Sequence, residues 1–181
     1  MGVALDPEMV IALARELKIQ DHESEQLIPW PVNAEQEEAI RILCGEPPER
    51  PEVLQSELFD SGLTYFLKAR QIGLTTASIL VDVLWTWSND MAGNPVKTAL
   101  IWDSEKKLKR QVALAASFCN QLGLATDSSL KTEITFPGGA TIEGITAGGQ
   151  AAARGLSFQR FHLAELPWWK DARTTWGGIQ A

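Results

Sequence analysis

Cysteine is scarce in this chain of 181 residues, which contains only Cys44 and Cys119. Their separation matches no metal-ligand spacing, so we expect two free thiols in the reducing environment of a cytosol. The sequence also lacks an apolar run of about 18 residues, the length that spans a bilayer. Its N-terminus has no basic segment followed by an apolar run, so no signal peptide is predicted. These absences argue against a secreted or membrane-spanning protein.

Positively charged residues are also few. The sequence has 16 Lys and Arg residues and 23 Asp and Glu residues, so the net charge is −7. The overall field would repel nucleic acid, so any contact with DNA has to be local. The basic cluster at 106–110 is interpreted as a solvated helix face, with a phosphate-backbone contact as the alternative. Hydrophobic residues make up 45% of the sequence, enough for a core, and the length suits about one domain.

Two helices are predicted in the first 50 residues. Asp6 stands before a proline, the pattern of a capped helix start, and apolar positions at helical spacing continue to about Lys18. Asn33 is placed to cap a second helix over about 34–43, with Gln36 at its third position.

A proline-rich linker at 45–51 divides the chain into an N-terminal helical segment, 1–50, and a second region, 51–181. In the second region strands alternate with helices, the pattern of parallel β-α-β units with right-handed crossovers. The expected fold class is therefore α/β, with a mainly parallel sheet flanked by helices. The predicted strands are 64–68, 96–103, 131–136, 141–145 and 159–164, the third and fourth forming a hairpin, and the predicted helices are 74–89 and 105–121.

The most informative stretch lies between the first of these strands and the helix that follows it. Strand, tight loop and helix N-terminus form the setting in which backbone N–H groups hold phosphate. Against the pattern G-x-x-x-x-G-K-[ST], Gly73 fills the second glycine and Thr75 fills the hydroxyl position that binds Mg²⁺. Lys68 replaces the first glycine, and Leu74 stands in the place of the lysine. The alternative is an ordinary helix start capped by Thr75. The whole stretch reads Lys68-Ala69-Arg70-Gln71-Ile72-Gly73-Leu74-Thr75-Thr76.

An acidic residue, Glu165, directly follows the last predicted strand. A carboxylate at the end of a buried strand can orient the water that attacks a γ-phosphate. The alternative is a strand-ending side chain turned to solvent. Asp103, at the end of another strand, is either an accessory carboxylate or the neighbour of a helix cap. His162 is interpreted as a core histidine whose hydrogen bonds are satisfied.

Together these two motifs resemble the large terminase subunit of tailed bacteriophages. In that family the phosphate loop (Walker A) often reads K-x-R-Q-x-G-x-[ST]-[ST]. The family's acidic strand often reads as apolar residues, then S-E, then a small residue and an aromatic. The Pro-Gly-Gly turn of the predicted hairpin and the pair Arg154-Gly155 before the acidic strand also resemble the family. The resemblance covers roughly residues 25–175.

The resemblance implies a phosphate-loop NTPase core of the ASCE type, which hydrolyses ATP with Mg²⁺ and drives double-stranded DNA into a procapsid. Glu165 would be the catalytic carboxylate and would share the metal with Thr75. Lys68 would contact the phosphates, and Arg70 would stabilise the γ-phosphate as charge develops. Gln36 resembles the family's adenine-reading glutamine, and its alternative role is helix capping. The other nucleotide-binding positions implied are Ala69, Gln71, Ile72, Gly73, Leu74 and Thr76.

Partners and location are also implied by the resemblance alone. A large terminase subunit works with double-stranded DNA, the small terminase subunit and the portal protein. It assembles as a homo-oligomeric ring in the host cell cytoplasm and needs no membrane. Two further readings stay open, namely a truncated, non-catalytic nucleotide-binding remnant and another phosphate-loop or helicase-like ATPase.

The chain departs from the family pattern in three ways, one of which is that the sheet lacks its later strands, so an exposed edge is expected. Ala164 stands where many relatives carry Asp or Ser, and its side chain offers no oxygen to a metal. The sequence stops at Ala181, before the family's coupling motif and its nuclease domain. We therefore expect an ATPase core that is incomplete at its C-terminus, either the N-terminal part of a longer protein or a truncated gene product.

Overall fold

The structure, a computed structural model, describes residues 2–20, 26–47, 73–148, 157–164, 169 and 172. The chain divides into two compact units. We call Ala4–Val81 the N-terminal unit, and Asp82–Ala181 together with Met1–Val3 the sheet unit. The predicted strand at 64–68 lies outside the described residues, as do Lys68, Ala69, Arg70, Gln71, Ile72 and Glu165.

The N-terminal unit begins with helix α1, Pro7–Glu16, which starts at the predicted position. Asp6 is its N-cap, and the carboxylate accepts a hydrogen bond from the Glu8 amide at 3.0 Å. A proline costs nothing at the first helical position, because the N–H groups of the first turn have no intrahelical partner. The buried face of the helix consists of Val10, Ile11 and Ala14.

A short hairpin and a second helix follow. Strand β1, Lys18–Gln20, pairs antiparallel with β2, Leu27–Pro29. Neither strand was predicted, because three residues are too few for an alternating pattern to show. Helix α2, Ala34–Leu43, has the predicted bounds, and Asn33 and Gln36 form a capping box in which each side chain accepts from the other residue's backbone N–H.

Helix α3, Leu74–Met91, starts where it is predicted to start and runs past the predicted end at Asn89. The boundary between the two units falls within this helix. Every residue from Ala77 to Leu84 is buried, so this stretch has no solvent-facing side. Most of these residues are apolar, as expected for a helix that is covered all round.

The sheet unit contains a five-stranded sheet in the order β4-β5-β6-β3-β7. The central strand, β3, Lys97–Trp102, pairs parallel with β6, Thr141–Thr146, on one side and with β7, Arg160–Leu163, on the other. The remaining strands, β5, Glu133–Thr135, and β4, Ser128–Ser129, add antiparallel pairs beyond β6. The predicted α/β class is thus confirmed for a mixed sheet with a parallel centre flanked by helices. The hairpin of β5 and β6 was predicted, whereas the two-residue β4 was not.

Helix α4, Glu105–Gln121, links β3 to the hairpin and has the predicted bounds. It ends as predicted near Gly123, whose φ of +65° lets the chain turn back. The Gly123 amide donates to Asn120 O, and the next amide donates to Cys119 O, which satisfies two carbonyls at the helix end. The helix packs closely on β6, because a Cβ at Gly144 would lie 2.9 Å from Leu108 Cδ1.

Within the described ranges, no helix combines the length and the apolarity that crossing a membrane requires.

Candidate nucleotide site

The described part of the predicted phosphate loop is the start of α3. Gly73 adopts a φ of +71°, which non-glycine residues rarely adopt. Its carbonyl accepts hydrogen bonds from the amides of Thr76 (3.0 Å) and Ala77 (3.3 Å), so the helical bonding begins at Gly73. Thr75 therefore lies inside the first turn, half-buried, and the alternative in which Thr75 caps the helix is wrong. Leu74 is buried and Thr76 is half-buried.

Gln36, predicted to bind the adenine, lies against this glycine. A Cβ built on Gly73 would lie 2.2 Å from Gln36 Nε2, so a larger residue would have to displace this side chain in addition to adopting the positive φ. The Gln36 side chain is buried, and its Oε1 accepts from Trp30 Nε1 at 3.1 Å and from the Asn33 amide at 3.2 Å. The capping role of Gln36 is thus confirmed. The structure also brings Gln36 next to Gly73, another of the positions predicted to bind the nucleotide.

Ala164, the residue after strand β7 and before Glu165, is bonded to the central strand of the sheet. The Ala164 amide donates to Ile101 O at 3.1 Å, and Ala164 O accepts from Trp169 Nε1 at 2.8 Å. Trp169 is buried in a small apolar cluster with Ala99 and Ile101. The chain directly after β7 is therefore attached to β3 at Ala164.

A buried charged cluster joins α3 to β7, and sequence analysis missed it. Asp82 is 3% exposed. Its Oδ1 accepts from Arg160 Nε at 2.6 Å, and its Oδ2 lies 2.7 Å from His162 Nδ1. The guanidinium carbon of Arg160 lies 5.5 Å from the centre of the Trp85 ring, and the rings of His162 and Trp102 are 5.0 Å apart. The interpretation of His162 as a hydrogen-bonded core residue is confirmed.

Opposing effects act on the pKa of Asp82. Burial, the largest effect, disfavours the ionised carboxyl, but the positive charges of Arg160 and His162 and the hydrogen bonds from both side chains together outweigh it. The pKa of Asp82 is consequently lowered from its ordinary value. The sequence does contain a signal for this cluster. Asp82 is an acidic residue within an apolar helical stretch, and Arg160 and His162 are two positions apart, which places both side chains on one face of a strand.

Two more buried polar contacts continue along the same helix at intervals of one turn. Thr86 Oγ1 lies 2.7 Å from Thr98 Oγ1 on β3. Asp90 accepts hydrogen bonds from the amides of Gly138 (2.8 Å) and Ala140 (2.9 Å) in the turn before β6. These contacts approach the starts of the parallel strands as the helix proceeds. The second half of α3 therefore runs antiparallel to β3, the direction of a crossover helix in a parallel α/β unit.

Asp103, the candidate accessory carboxylate, follows β3. Its Oδ2 accepts from Lys107 Nζ at 2.9 Å, whereas its buried Oδ1 has no hydrogen-bond partner among the described residues. No group of three or more His, Cys, Asp or Glu side chains in the described part of the chain could hold a metal ion.

Comparison with known proteins does not assign the chain to a class, since no protein-family model matches it and no curated protein matches it significantly.

Proposed function

We propose that this chain carries the ATP-binding and ATP-hydrolysing part of the large terminase subunit of a tailed bacteriophage, the motor that drives double-stranded DNA into a procapsid. The observation that carries the proposal is the close approach of Gln36 to Gly73. The resemblance implies that these residues bind different parts of one ATP molecule: Gln36 binds the adenine, and the loop that contains Gly73 binds the phosphates. An amide packed against the loop's glycine supports a single site that includes both.

The fold supports a phosphate-loop core of the ASCE type. The parallel strands β3, β6 and β7 end at one edge of the sheet, and open α/β sheets bind ligands outside the carboxyl ends of their strands. In the sequence, Glu165 comes two residues after the end of β7. The loop leads into α3, a long helix whose first N–H groups are free of intrahelical partners and suit an anion.

The proposed substrate is magnesium–ATP, in which the metal spreads the charge of the phosphates. Lys68 and the N–H groups at the start of α3 hold the phosphates, and the Thr75 hydroxyl offers the metal an oxygen. Glu165 orients a water for attack on the γ-phosphorus. A bond from the water oxygen forms while the bond to the β-phosphate oxygen breaks, ADP leaves with the electron pair, and a proton of the water passes to the Glu165 carboxylate. Arg70 stabilises the charge on the transferred phosphoryl group.

The proposed partners are double-stranded DNA, the small terminase subunit and the portal protein, met by a homo-oligomeric ring in the host cytoplasm. With a net charge of −7, the chain needs a local positive surface for DNA. Lys106 and Arg110 are exposed on the first two turns of α4 and supply one.

Phosphate release by the 181-residue chain tests the catalytic assignment. Glu165→Gln keeps the shape of the side chain but removes its charge, so we expect hydrolysis to fall by on the order of 10²–10³-fold with ATP affinity retained. Glu16→Gln, which changes an exposed carboxylate on α1, is the matched control and should keep the wild-type rate. Equal rates for the wild type and Glu165→Gln would reject the proposal.

A second candidate function, nucleotide binding without turnover, is favoured by Ala164. This residue is buried at the end of β7 and brings no side-chain oxygen to the site. The test is binding of a fluorescent ATP analogue. If the wild type binds the analogue, Lys68→Ala lowers the affinity, and the wild type releases no phosphate from ATP, this second function is supported.

A further inference from the structure

We infer that a groove between α4 and the connection from β4 to β5 docks an acidic, amphipathic helix of a partner protein. The inference is independent of the proposed reaction, because the groove contains none of the residues assigned to ATP.

The groove lies within the sheet unit and has a volume of about 420 Å³. One wall is a stripe of side chains on α4 that begins at Lys109 and ends at Asn120, and the other wall consists of residues 129–131. The members of the stripe recur every three or four positions and therefore lie on one side of the helix. At 1.5 Å per residue the stripe is roughly 16 Å long, about three helical turns, so a partner helix of this length can lie along it.

The centre of the groove is apolar. Val112, Ala113 and Ala116 line it on the helix, and Leu130 on the opposite wall is 61% exposed. Small side chains on a helix let a second helix approach closely. The exposed leucine offers a contact to the apolar residues that recur on one face of an amphipathic helix. The shape and the chemistry of the centre therefore suit a helix with one apolar face.

One end of the groove is basic. Leu108 packs against Gly144, and the Gly144 amide donates to Thr132 O at 2.7 Å. Lys109 follows Leu108 and Lys131 precedes Thr132 in the chain, so both lysines line the same end. No acidic side chain is among the described residues that line the groove, although the whole chain has a net charge of −7. Charge complementarity therefore selects a partner with acidic residues at this end of its helix.

The two lysines are available to such a partner. Lys131 is exposed and forms no ion pair with the described residues. Lys109 pairs with Glu105 one turn earlier on α4, but both side chains are exposed, and such pairs contribute little to stability. A carboxylate of the partner can therefore replace Glu105. Lys106 and Arg110, exposed on the same turns of α4, add to the positive potential.

The apolar centre favours a protein partner over a nucleic acid. Proteins hold the phosphates of duplex DNA with charged and polar groups, and they hold single strands by stacking bases on aromatic side chains. The described residues that line the groove include no aromatic side chain, and its middle offers phosphate no donor. A peptide helix can bury its apolar face at the centre and still place a carboxylate between the lysines.

The experiment uses a synthetic, fluorescently labelled peptide of about 12 residues, with leucines at the spacing of one helix face and two glutamates at one end. Fluorescence anisotropy measures its binding to the 181-residue chain. A scrambled peptide of the same composition keeps the charge and loses the apolar face, so it should bind about tenfold more weakly. In NMR spectra of the chain, the amides of Ala113, Ala116 and Leu130 should shift on addition of the first peptide.

Two variants at exposed positions test the groove itself. Lys131→Glu should weaken binding of the acidic peptide about tenfold, because it places like charges opposite each other. Leu130→Ser should weaken it about fivefold through loss of apolar contact. Lys18→Glu is the matched control, since it makes the same change in net charge at an exposed lysine outside the groove, and its affinity should stay within about twofold of the wild type. A peptide with lysines in place of the glutamates should prefer Lys131→Glu to the wild type.

Several results would overturn the inference. One is equal affinity for the acidic peptide and its scrambled version, and another is an equal loss in Lys131→Glu and Lys18→Glu. Wild-type affinity in Leu130→Ser would also reject the groove as the binding surface. If duplex DNA shifts the Ala113 and Leu130 amides and the peptide does not, the groove is a nucleic-acid contact and the inference fails. The proposed function is tested separately by Glu165→Gln, and none of these results alters it.

Discussion

Two groups of polar contacts, one in each unit, differ in their exposure to water. In the N-terminal unit, two ion pairs lie at the surface, where Arg15 pairs with Glu37 at 2.5 Å and Arg41 pairs with Glu8. In the sheet unit, the buried side chains of Asp82, Thr86 and Asp90 lie along one helix and reach three separate parts of the sheet. Water competes more strongly with the surface pairs than with the contacts of these buried side chains. Substitutions at the buried positions should therefore cost more stability than substitutions in the surface pairs.

The largest effect is expected for Asp82→Ala. It leaves the half-buried Arg160 and His162 without their common partner, so the free energy of unfolding should fall by about 2–4 kcal/mol. Urea denaturation followed by tryptophan fluorescence measures this change. A loss below about 1 kcal/mol would mean that the cluster is solvated in solution, and the contrast between the units would disappear.

Asp90→Ala should have the next largest effect. Two turn amides, of Gly138 and Ala140, lose the carboxylate that they donate to, at a cost of about 2–4 kcal/mol. Asp127→Ala is the matched control, because Asp127 is exposed in the same unit, and its unfolding free energy should change by less than about 0.5 kcal/mol. Similar losses for both variants would show that burial is not what gives Asp90 its importance.

Acid should weaken the sheet unit through Asp82. Its pKa is lowered in the folded state, so the folded protein binds fewer protons there than the unfolded chain does. The stabilisation is complete above the ordinary Asp pKa of about 3.9 and is lost as the pH falls through the lower folded value. The difference in unfolding free energy between the wild type and Asp82→Asn should therefore shrink on acidification below pH ~4. The difference between the wild type and Thr86→Val, which removes no charge, should stay constant.

The smallest effect is expected for Glu8→Ala in the N-terminal unit. The Glu8 side chain is 68% exposed, so its pair with Arg41 is screened by water and contributes less than about 1 kcal/mol. Urea denaturation under the conditions used for Asp82→Ala gives the direct comparison. A loss as large as that of Asp82→Ala would contradict the difference drawn between the two units.

The same contrast explains how much of the fold was predictable. Helix α2 was placed correctly because its determinants are close together in the chain. They are the N-cap Asn33 and Gln36, which form reciprocal capping bonds. The strands β1, β2 and β4 were missed because two or three residues carry no period. The parallel arrangement followed from the alternation of strands and helices, which is also a local pattern.

The candidate site divides in the same way. The glycine at position 73 could be predicted from the pattern of its loop, and the capping bonds of Gln36 from the spacing to Asn33. The meeting of Gln36 with Gly73 depends on tertiary packing, and no spacing in the sequence encodes it. The partners of Asp82 lie 78 and 80 positions away, so the cluster became visible only in three dimensions.

The absence of a Cβ atom at Gly144 limits which side chains can occupy the contact between α4 and β6. Three side-chain atoms of Leu108 would lie 2.9 to 3.1 Å from a methyl group at Gly144, and Leu108 is itself enclosed on every side. A larger residue at 144 would have to push the helix outward or force the leucine out of its rotamer. Positions 144 and 108 should therefore change together, so that a larger residue at 144 is accompanied by a smaller one at 108.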